Sequence, residues 1–586
     1  MKLFDLTFSG PVQNTQDLFF RGNARLNEKN QLEIKSRDEV SFDTYFNLFS
    51  HSKYFEYCEI EKISLFLRAS GSYSVNFYHK NVDGSESLIL QTQCEKDAEI
   101  NLDLTDTPKN GFVFFKLTAR SDVVLKFGGY YAEPKFFRDD VKIGGVICTF
   151  KREKFVRRNL SGVEKFMAEN PEWKDKIHFF ISDNAKTLDL KSNDIYTIIP
   201  NKNLGGSGGF TRGMTEVMKD KTFTHFLLTD DDISFDCRTL VKTYNLICAL
   251  SPKYRDATVG GSMLVLEKPY IQHEMGGFFN GLKISAGNTG ADLSDVKNLI
   301  KNETPLKADY NAWWYCCMPV EYAFKNGLPL PLFIKCDDVE YGIRCITNLI
   351  LMNGIGIWHQ DFSTKYNPTL EYYIARNELL VNALHFKGHF KASLKFLFFL
   401  FRQLTLKRYF CAKLILQAHE DFFKGPDFFN DTDMEELNSK ILKYHPQFED
   451  LKMLAEKFGF DEKDLAEHQS KRAIPESTVK KYFSSAENFM PKCFFKKQLA
   501  FTDANRIRPT DAFLQKTVIN VDFNNNRGYV TSLDKKLRLS LRRRGIKMFF
   551  KLLFCYGKTK KQYIKRQAEI CSAAQWDKKF FEKSQG

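Results

Sequence analysis

At 586 residues the chain is too long for one hydrophobic core, because single cores rarely grow beyond about 250–300 residues, so several domains are expected. Its 43% apolar content is that of a folded protein, and a net charge of +14 is moderate for this length, leaving nucleic acid, anionic lipid and polyanionic glycan all open as partners. Thirteen cysteines occur without metal-finger spacing and nothing indicates a disulfide framework, so a reducing cytosol is expected.

The N-terminal MKLFDLTFSG lacks the apolar core of a signal peptide. Residues 1–140 then read as a β-domain. Short alternating segments such as SVNFYHK, AEINLDL and GFVFFKLTA recur between Asn-Gly and Asp-Gly-Ser turn signals, the pattern of a sandwich or jelly roll. Carbohydrate binding, oligomerisation and plain packing are all open roles for it.

From about Lys142 the pattern changes to strands alternating with helices, which predicts an α/β domain on a mostly parallel sheet. Ligands of such sheets gather beyond the carboxyl ends of the strands. Arg152, Asp183, Asn203 with its glycines, and the triplet Asp230, Asp231 and Asp232 all fall there. Glycines let a backbone approach a phosphate closely. Clustered carboxylates attract a hard cation, Mg²⁺ or Mn²⁺, shared with a diphosphate. Each feature has a plainer alternative: a glycine turn, a helix cap at Asp183 or the triplet, a surface position for Arg152. One helix apart, the glycines and the triplet together favour a nucleotide–metal site.

Further on, NAWW places Trp313 and Trp314 side by side in a chain with five tryptophans. Indole faces pack on the C–H groups of sugars, and core packing is the alternative. LPLPLFIKCDDVEYGIR then puts Asp337, Asp338 and Glu340 at a helix start, as N-terminal charges or with one acting as a general base toward a sugar hydroxyl. His359 follows another apolar run, either structural or completing a metal shell with Asp230 and Asp232.

From about Glu371 the chain turns helical, and the stretch 396–401, flanked by Lys395 and Arg402, is too short to span a bilayer. Residues 461–530 are less regular, with a strand-like TVINVDF. Residues 538–566 are rich in Lys and Arg, lack Asp and Glu, and interleave Phe, Leu and Ile. That fits an interfacial segment drawn to anionic headgroups. No nucleic-acid fold motif accompanies the charge, so no nucleic acid is expected.

VICTFKR, NLGGSGGFTRGM, the aspartate triplet, NAWW, FIKCDDVEYGIR and WHQDF, spread over roughly residues 143–377, resemble inverting glycosyltransferases of family 2 with a GT-A fold. More narrowly, they are similar to the galactan-polymerising galactofuranosyltransferases of mycobacteria and their bacterial relatives. The resemblance implies a multidomain α/β protein: a jelly-roll-like β-sandwich over 1–140, a GT-A catalytic domain with a Rossmann-like mixed sheet over 141–375, and a mainly helical basic region over 376–586. It implies contacts to the uridine diphosphate from Thr149, Arg152, Asp183, Asn203, Gly205, Gly206, Gly208, Gly209 and Arg212, with Asp231 against the nucleotide sugar. Asp230, Asp232 and His359 would hold Mn²⁺ or Mg²⁺. Asp338 would be the catalytic base beside Asp337, and Trp313, Trp314 and Glu274 would line the acceptor site.

The implied reaction is transfer of galactofuranose from UDP-galactofuranose to a cell-surface glycan with inversion. The alternatives are another UDP- or dTDP-sugar, such as rhamnose or a hexopyranose, and a non-catalytic glycan-binding or scaffold protein. Expected partners are a nucleotide sugar, a glycan or lipid-linked glycan acceptor, an anionic membrane surface reached through the basic C-terminal region, and a second copy in a homo-oligomer. The corresponding place is the cytoplasmic face of the inner or plasma membrane. Cys336 before the aspartate pair and Cys316-Cys317 after the tryptophans depart from the family's pattern, which leaves the acceptor's identity open.

Overall fold

A computed structural model describes residues 1–362, 367–473 and 477–581. The N-terminal region is built from a six-stranded and a five-stranded sheet, with antiparallel pairing throughout. Burial alternates along Lys62–Ser70 and Ser72–Lys80, as the period-two sequence pattern requires. Ile63, Leu65 and Leu67 from the first and Tyr73, Val75 and Phe77 from the second enter one apolar core.

That core continues into the central region. The Tyr45 hydroxyl donates to the Ile355 carbonyl at 3.1 Å, and the Ser50 hydroxyl to the Glu303 carboxylate at 2.8 Å. The Phe46 and Trp358 ring centroids lie 5.6 Å apart. Lys242 is buried at the same seam, its Nζ 4.1 Å over the Phe4 ring and 3.2 Å from the Asn353 carbonyl, and burial lowers its pKa to about 7. These contacts brace the strand Leu349–His359, whose last residue enters the site described below.

The central sheet has nine strands. Tyr196–Pro200, Ile177–Asp183, Ile143–Thr149 and His225–Asp230 run parallel. Cys316–Pro319 follows antiparallel and pairs onward with Thr258–Val265, which also carries Leu349–His359 in parallel. The mixed, Rossmann-like sheet expected of a GT-A-like fold is therefore present. Parallel strands buried on both faces explain runs such as His225–Asp230, where every residue but the last is buried.

The C-terminal region packs Leu370–His385, Phe390–Thr405, Tyr409–Phe422 and Lys535–Ile570 together. The last buries Leu541, Gly545, Met548, Leu552, Tyr556, Thr559 and Tyr563, a helical stripe, and leaves its basic positions with Phe550 and Phe554 outside. A Cβ on Gly545 would lie 2.1 Å from Leu400 Cδ2, so this glycine permits the close helix approach. Within this mainly helical region sits a four-stranded sheet, ordered Glu449–Asp450, Arg527–Ser532, Gln515–Asp522 and Lys496–Asp503; TVINVDF supplies one of its strands. Two fully buried cations dock it: Lys407 Nζ reaches Glu487 at 3.0 Å and the Ala512 carbonyl at 2.8 Å, and Arg408 Nε reaches Asn520 Oδ1 at 2.8 Å. Among the described residues no helix is long and apolar enough to cross a membrane. All thirteen cysteines are free.

The short helix Ala573–Phe581 returns to the central region. Trp576 donates its indole N–H to the Pro329 carbonyl at 2.9 Å and joins the cluster that contains Phe210 and Trp313. Removing so large a buried side chain costs about 3–5 kcal/mol. Trp576→Ala is therefore expected to open residues 573–581 to limited proteolysis under native conditions; protection equal to that of the unaltered protein would contradict this docking.

Candidate active site

The parallel strands bring their carboxyl ends to one edge. In register, Thr149 lies opposite Asp183 and Cys148 opposite Asp230. His359 ends Leu349–His359 at the same edge. Asp230, Asp232 and His359, distant in sequence, thereby offer ligand atoms that all lie within 4.8 Å of one another. His359 Nδ1 sits 2.7 Å from the Gln360 carbonyl, which can only accept, so Nδ1 carries the proton. Its Nε2 lone pair then faces Asp232 Oδ1 at 2.9 Å. Two electron-pair donors set against each other suit a shared cation. Burial, reinforced by Asp232 and Asp231 and opposed by His359 and Arg152, pushes Asp230 up to about 7. Two carboxylates and an imidazole fit Mn²⁺ or Mg²⁺.

The middle aspartate is committed within the protein. Asp231 accepts from the Thr149 hydroxyl at 2.7 Å and from Arg152 Nη1 at 3.0 Å, while the same Arg152 nitrogen lies 2.6 Å from Asp232. Asn159 holds the Asp231 carbonyl at 3.0 Å. Arg152 thus sets the geometry of both carboxylates and lines the cleft itself.

The glycines open the helix Gly205–Val217. Gly205 has φ +69°, and a Cβ there would meet the Phe333 carbonyl at 2.1 Å. A Cβ on Gly208 would meet Leu204 Cβ at 2.2 Å and one on Gly209 Cys148 Sγ at 2.1 Å. Gly209 lets the helix sit tightly on the sheet and Gly205 on the 333–336 turn, while Gly208 makes room for Leu204 at the helix's own start. Gly206 has space, its nearest neighbour being Asp337 Oδ2 at 3.6 Å, and it lines the cleft. Asn203 accepts from the Gly205 N–H at 3.2 Å. Asp183 takes three backbone N–H groups, from Ala185, Lys186 and Leu188 at 2.8–3.0 Å, and so shapes the loop after its strand. Arg212 pairs with Glu216 and lies 5.5 and 5.1 Å over the Phe580 and Phe581 rings, outside the cleft lining.

Across the cleft, the turn before Asp337 is strained. Phe333, Lys335 and Cys336 have φ of 73°, 68° and 65°, a left-handed conformation unusual for residues with a side chain. Asn377 Nδ2 clamps it through the Ile334 and Lys335 carbonyls at 2.9 and 2.8 Å, and Arg376 through the Leu332 carbonyl at 2.6 Å. Both clamping residues are buried. The turn delivers Asp337 and Asp338 into the cleft at the start of Asp337–Cys345. Burial first, and then Asp338, pushes Asp337 up to about 7, and burial raises Asp338 as well. Burial and the charge of Asp338 take Glu274 to about 8, and its Oε1 is buried without a hydrogen-bond partner among the described residues. Trp313 Nε1 is likewise unpartnered, whereas Trp314 Nε1 donates to the Gly261 carbonyl at 3.1 Å.

A single cleft of about 810 Å³ unites the metal triad with Asp337, Asp338, Glu274 and both tryptophans. That volume suits a small-molecule site, where volumes of roughly 300–1,000 Å³ are usual. Asn377 and Arg376 were not singled out by sequence, although RN inside a helix apolar on more than one face is the trace they leave. Lys335, in the cleft wall and 5.6 Å over the Phe362 ring, was missed for the same reason: its role depends on the turn.

Residues 16–133 match the family described as Galactofuranosyltransferase 2 N-terminal. Over 445 residues, 68% of this chain, the sequence is 31% identical to galactofuranosyltransferase GlfT2 of Mycolicibacterium smegmatis. That alignment takes in 66% of the relative, just under two thirds of its length. GlfT2 of Mycobacterium tuberculosis is 28% identical over 447 residues, 68% of this chain and 67% of the relative.

The glycines separate by experiment. Gly209→Ala forces the helix off Cys148 and is expected to cost about 1–3 kcal/mol, as overpacking does. Gly206→Ala, with open space, is expected to leave the thermal midpoint unchanged. Equal midpoints for the two variants would contradict the packing described.

Proposed function

Because the chain is related to the mycobacterial galactofuranosyltransferases GlfT2, we propose that it is a metal-dependent, inverting transferase moving galactofuranose from UDP-galactofuranose to a hydroxyl of a cell-surface glycan. The observation that carries this reading is the meeting, in one cleft, of a cation donor set with a pair of buried aspartates and two tryptophans. A divalent cation on Asp230, Asp232 and His359 would supply Lewis-acid stabilisation of the departing diphosphate. Arg152 adds a fixed positive charge beside that position, and the Gly206 backbone admits the donor closely.

Asp338 acts as general base. Its carboxylate takes the proton of the acceptor hydroxyl as that oxygen bonds to the anomeric carbon and the bond from that carbon to the UDP oxygen breaks. One displacement inverts the centre. Asp337 holds sugar hydroxyls beside it. The indole of Trp313 presents an unpartnered N–H, and the tryptophan rings offer apolar faces to the sugar. Glu274, with its pKa near 8, keeps its proton at neutral pH and so both donates to and accepts from sugar hydroxyls. The exposed basic face of Lys535–Ile570, with Phe550 and Phe554, supports attachment to an anionic membrane surface, such as the cytoplasmic face of the inner or plasma membrane.

Asp338→Asn is expected to lower kcat by about 10²–10⁴, the usual worth of general-base catalysis, with UDP affinity in Mn²⁺ retained; substantial residual turnover would remove Asp338 from the role. The pH profile follows from burial, which disfavours the charged carboxylate: the acidic limb of kcat/KM should lie above the ordinary value near 3.8. Lys335 opposes that shift, so Lys335→Met should move the limb to higher pH; movement to lower pH would contradict the assignment.

A further inference from the structure

We infer that Asn505, carried by the C-terminal four-stranded sheet, is a specificity-determining residue for the acceptor glycan, taking a hydrogen bond from a sugar hydroxyl on its carboxamide oxygen; this rests on the transferase reading above. Most of the cleft wall comes from the central region, with Leu370 and Ile374 of the next helix. Asn505 joins it from far along the chain, half-buried, on the loop that follows Lys496–Asp503.

The orientation of its amide is fixed by chemistry. Asn505 Nδ2 donates to Asp522 Oδ1 at 3.2 Å, and a carboxylate can only accept, so the nitrogen faces Asp522. The oxygen is left as the group that can accept a hydrogen bond. Asp522 is buried and held in turn by Asn525 Nδ2 at 2.9 Å and Arg527 Nε at 3.2 Å.

The backbone around it is fixed as well. Asp503 Oδ1 accepts the N–H groups of Asn505 at 2.7 Å and Arg506 at 2.9 Å. The Ala504 N–H donates to the Val521 carbonyl at 2.7 Å, and the Ala504 carbonyl lies 3.4 Å from Arg408 Nη2, the fully buried cation that also holds Asn520. A rigid carboxamide oxygen that can only accept suits a hydroxyl and offers nothing to a diphosphate, which has no proton to donate at neutral pH. The sugar of the acceptor, not the donor nucleotide, is therefore its partner.

The test is steady-state kinetics with Asn505→Ala and Asp522→Asn, using UDP-galactofuranose, Mn²⁺ and an alkyl galactofuranosyl trisaccharide, alongside titration of the trisaccharide by saturation-transfer NMR. Losing one such hydrogen bond should raise the acceptor KM about five- to tenfold in Asn505→Ala. The donor KM and thermal midpoint should stay unchanged. Asp522→Asn, which frees the amide to turn, should raise the acceptor KM less. An unchanged acceptor KM in Asn505→Ala, or donor and acceptor KM rising together with a fallen midpoint, would overturn the inference alone. An unaltered protein that neither transfers to nor binds the trisaccharide would remove the transferase reading, and this inference with it.

Discussion

The site depends on one strained turn. Residues with side chains held at left-handed φ cost of the order of 1–3 kcal/mol each, and three of the four residues 333–336 are so held. Asn377 and Arg376 offset that cost with hydrogen bonds to three carbonyls, those of Leu332, Ile334 and Lys335. Arg376 is itself gripped by the rings of Tyr372, Tyr373, Phe428 and Phe429, at 5.2–5.7 Å from its guanidinium. The turn also touches the donor side. The Phe333 carbonyl accepts from the Ser207 N–H at 3.1 Å, and it is the atom that forbids a side chain at Gly205. The glycine helix, the aspartate pair and the C-terminal bundle therefore meet at this one turn.

Electrostatics explain why such support is needed. Asp230, Asp337, Asp338 and Glu274 are acids in one cleft whose burial favours the neutral form. Arg152 and Lys335 are the cations in its wall. Glu340, one turn beyond the pair, behaves oppositely. Burial opposes its ionisation, yet Arg344 at 2.9 Å and His385 at 3.0 Å hold it down to about 2. Gln567 of the helix Lys535–Ile570 bonds the same carboxylate at 3.1 Å, so Glu340 ties Asp337–Cys345 to the C-terminal region. Glu340 is thus a structural anchor, as a helix-start charge among the three acids read from sequence.

Legibility followed the range of the interactions. The strands ending at Thr149, Asp183 and Asp230 could be read because each is a largely apolar run closed by a polar residue. The union of His359 with Asp230 and Asp232 spans more than a hundred residues; its place after an apolar run left it one of two readings, family resemblance favoured it, and the sheet register supplies its physical cause. Of the four-stranded sheet only TVINVDF showed in the sequence, because the sheet's anchors, Lys407 and Arg408, look like surface charges there and are fully buried in the fold. Asn377 was passed over for a related reason: RN inside an apolar helix is its one trace, and its partners are backbone carbonyls, which leave no mark in sequence. The glycines were legible as a need for close approach. What they approach is largely Phe333, Leu204 and Cys148, with Gly206 on the cleft.

The most direct measurement is NMR analysis of the product formed from UDP-galactofuranose and a galactofuranosyl acceptor by the purified protein, with Mn²⁺ and after its removal by chelation. A new galactofuranosyl linkage of anomeric configuration opposite to the donor's, formed only with the cation present, is the expected product. A product that retains the donor's configuration, or no transfer to any galactofuranosyl acceptor, would contradict it.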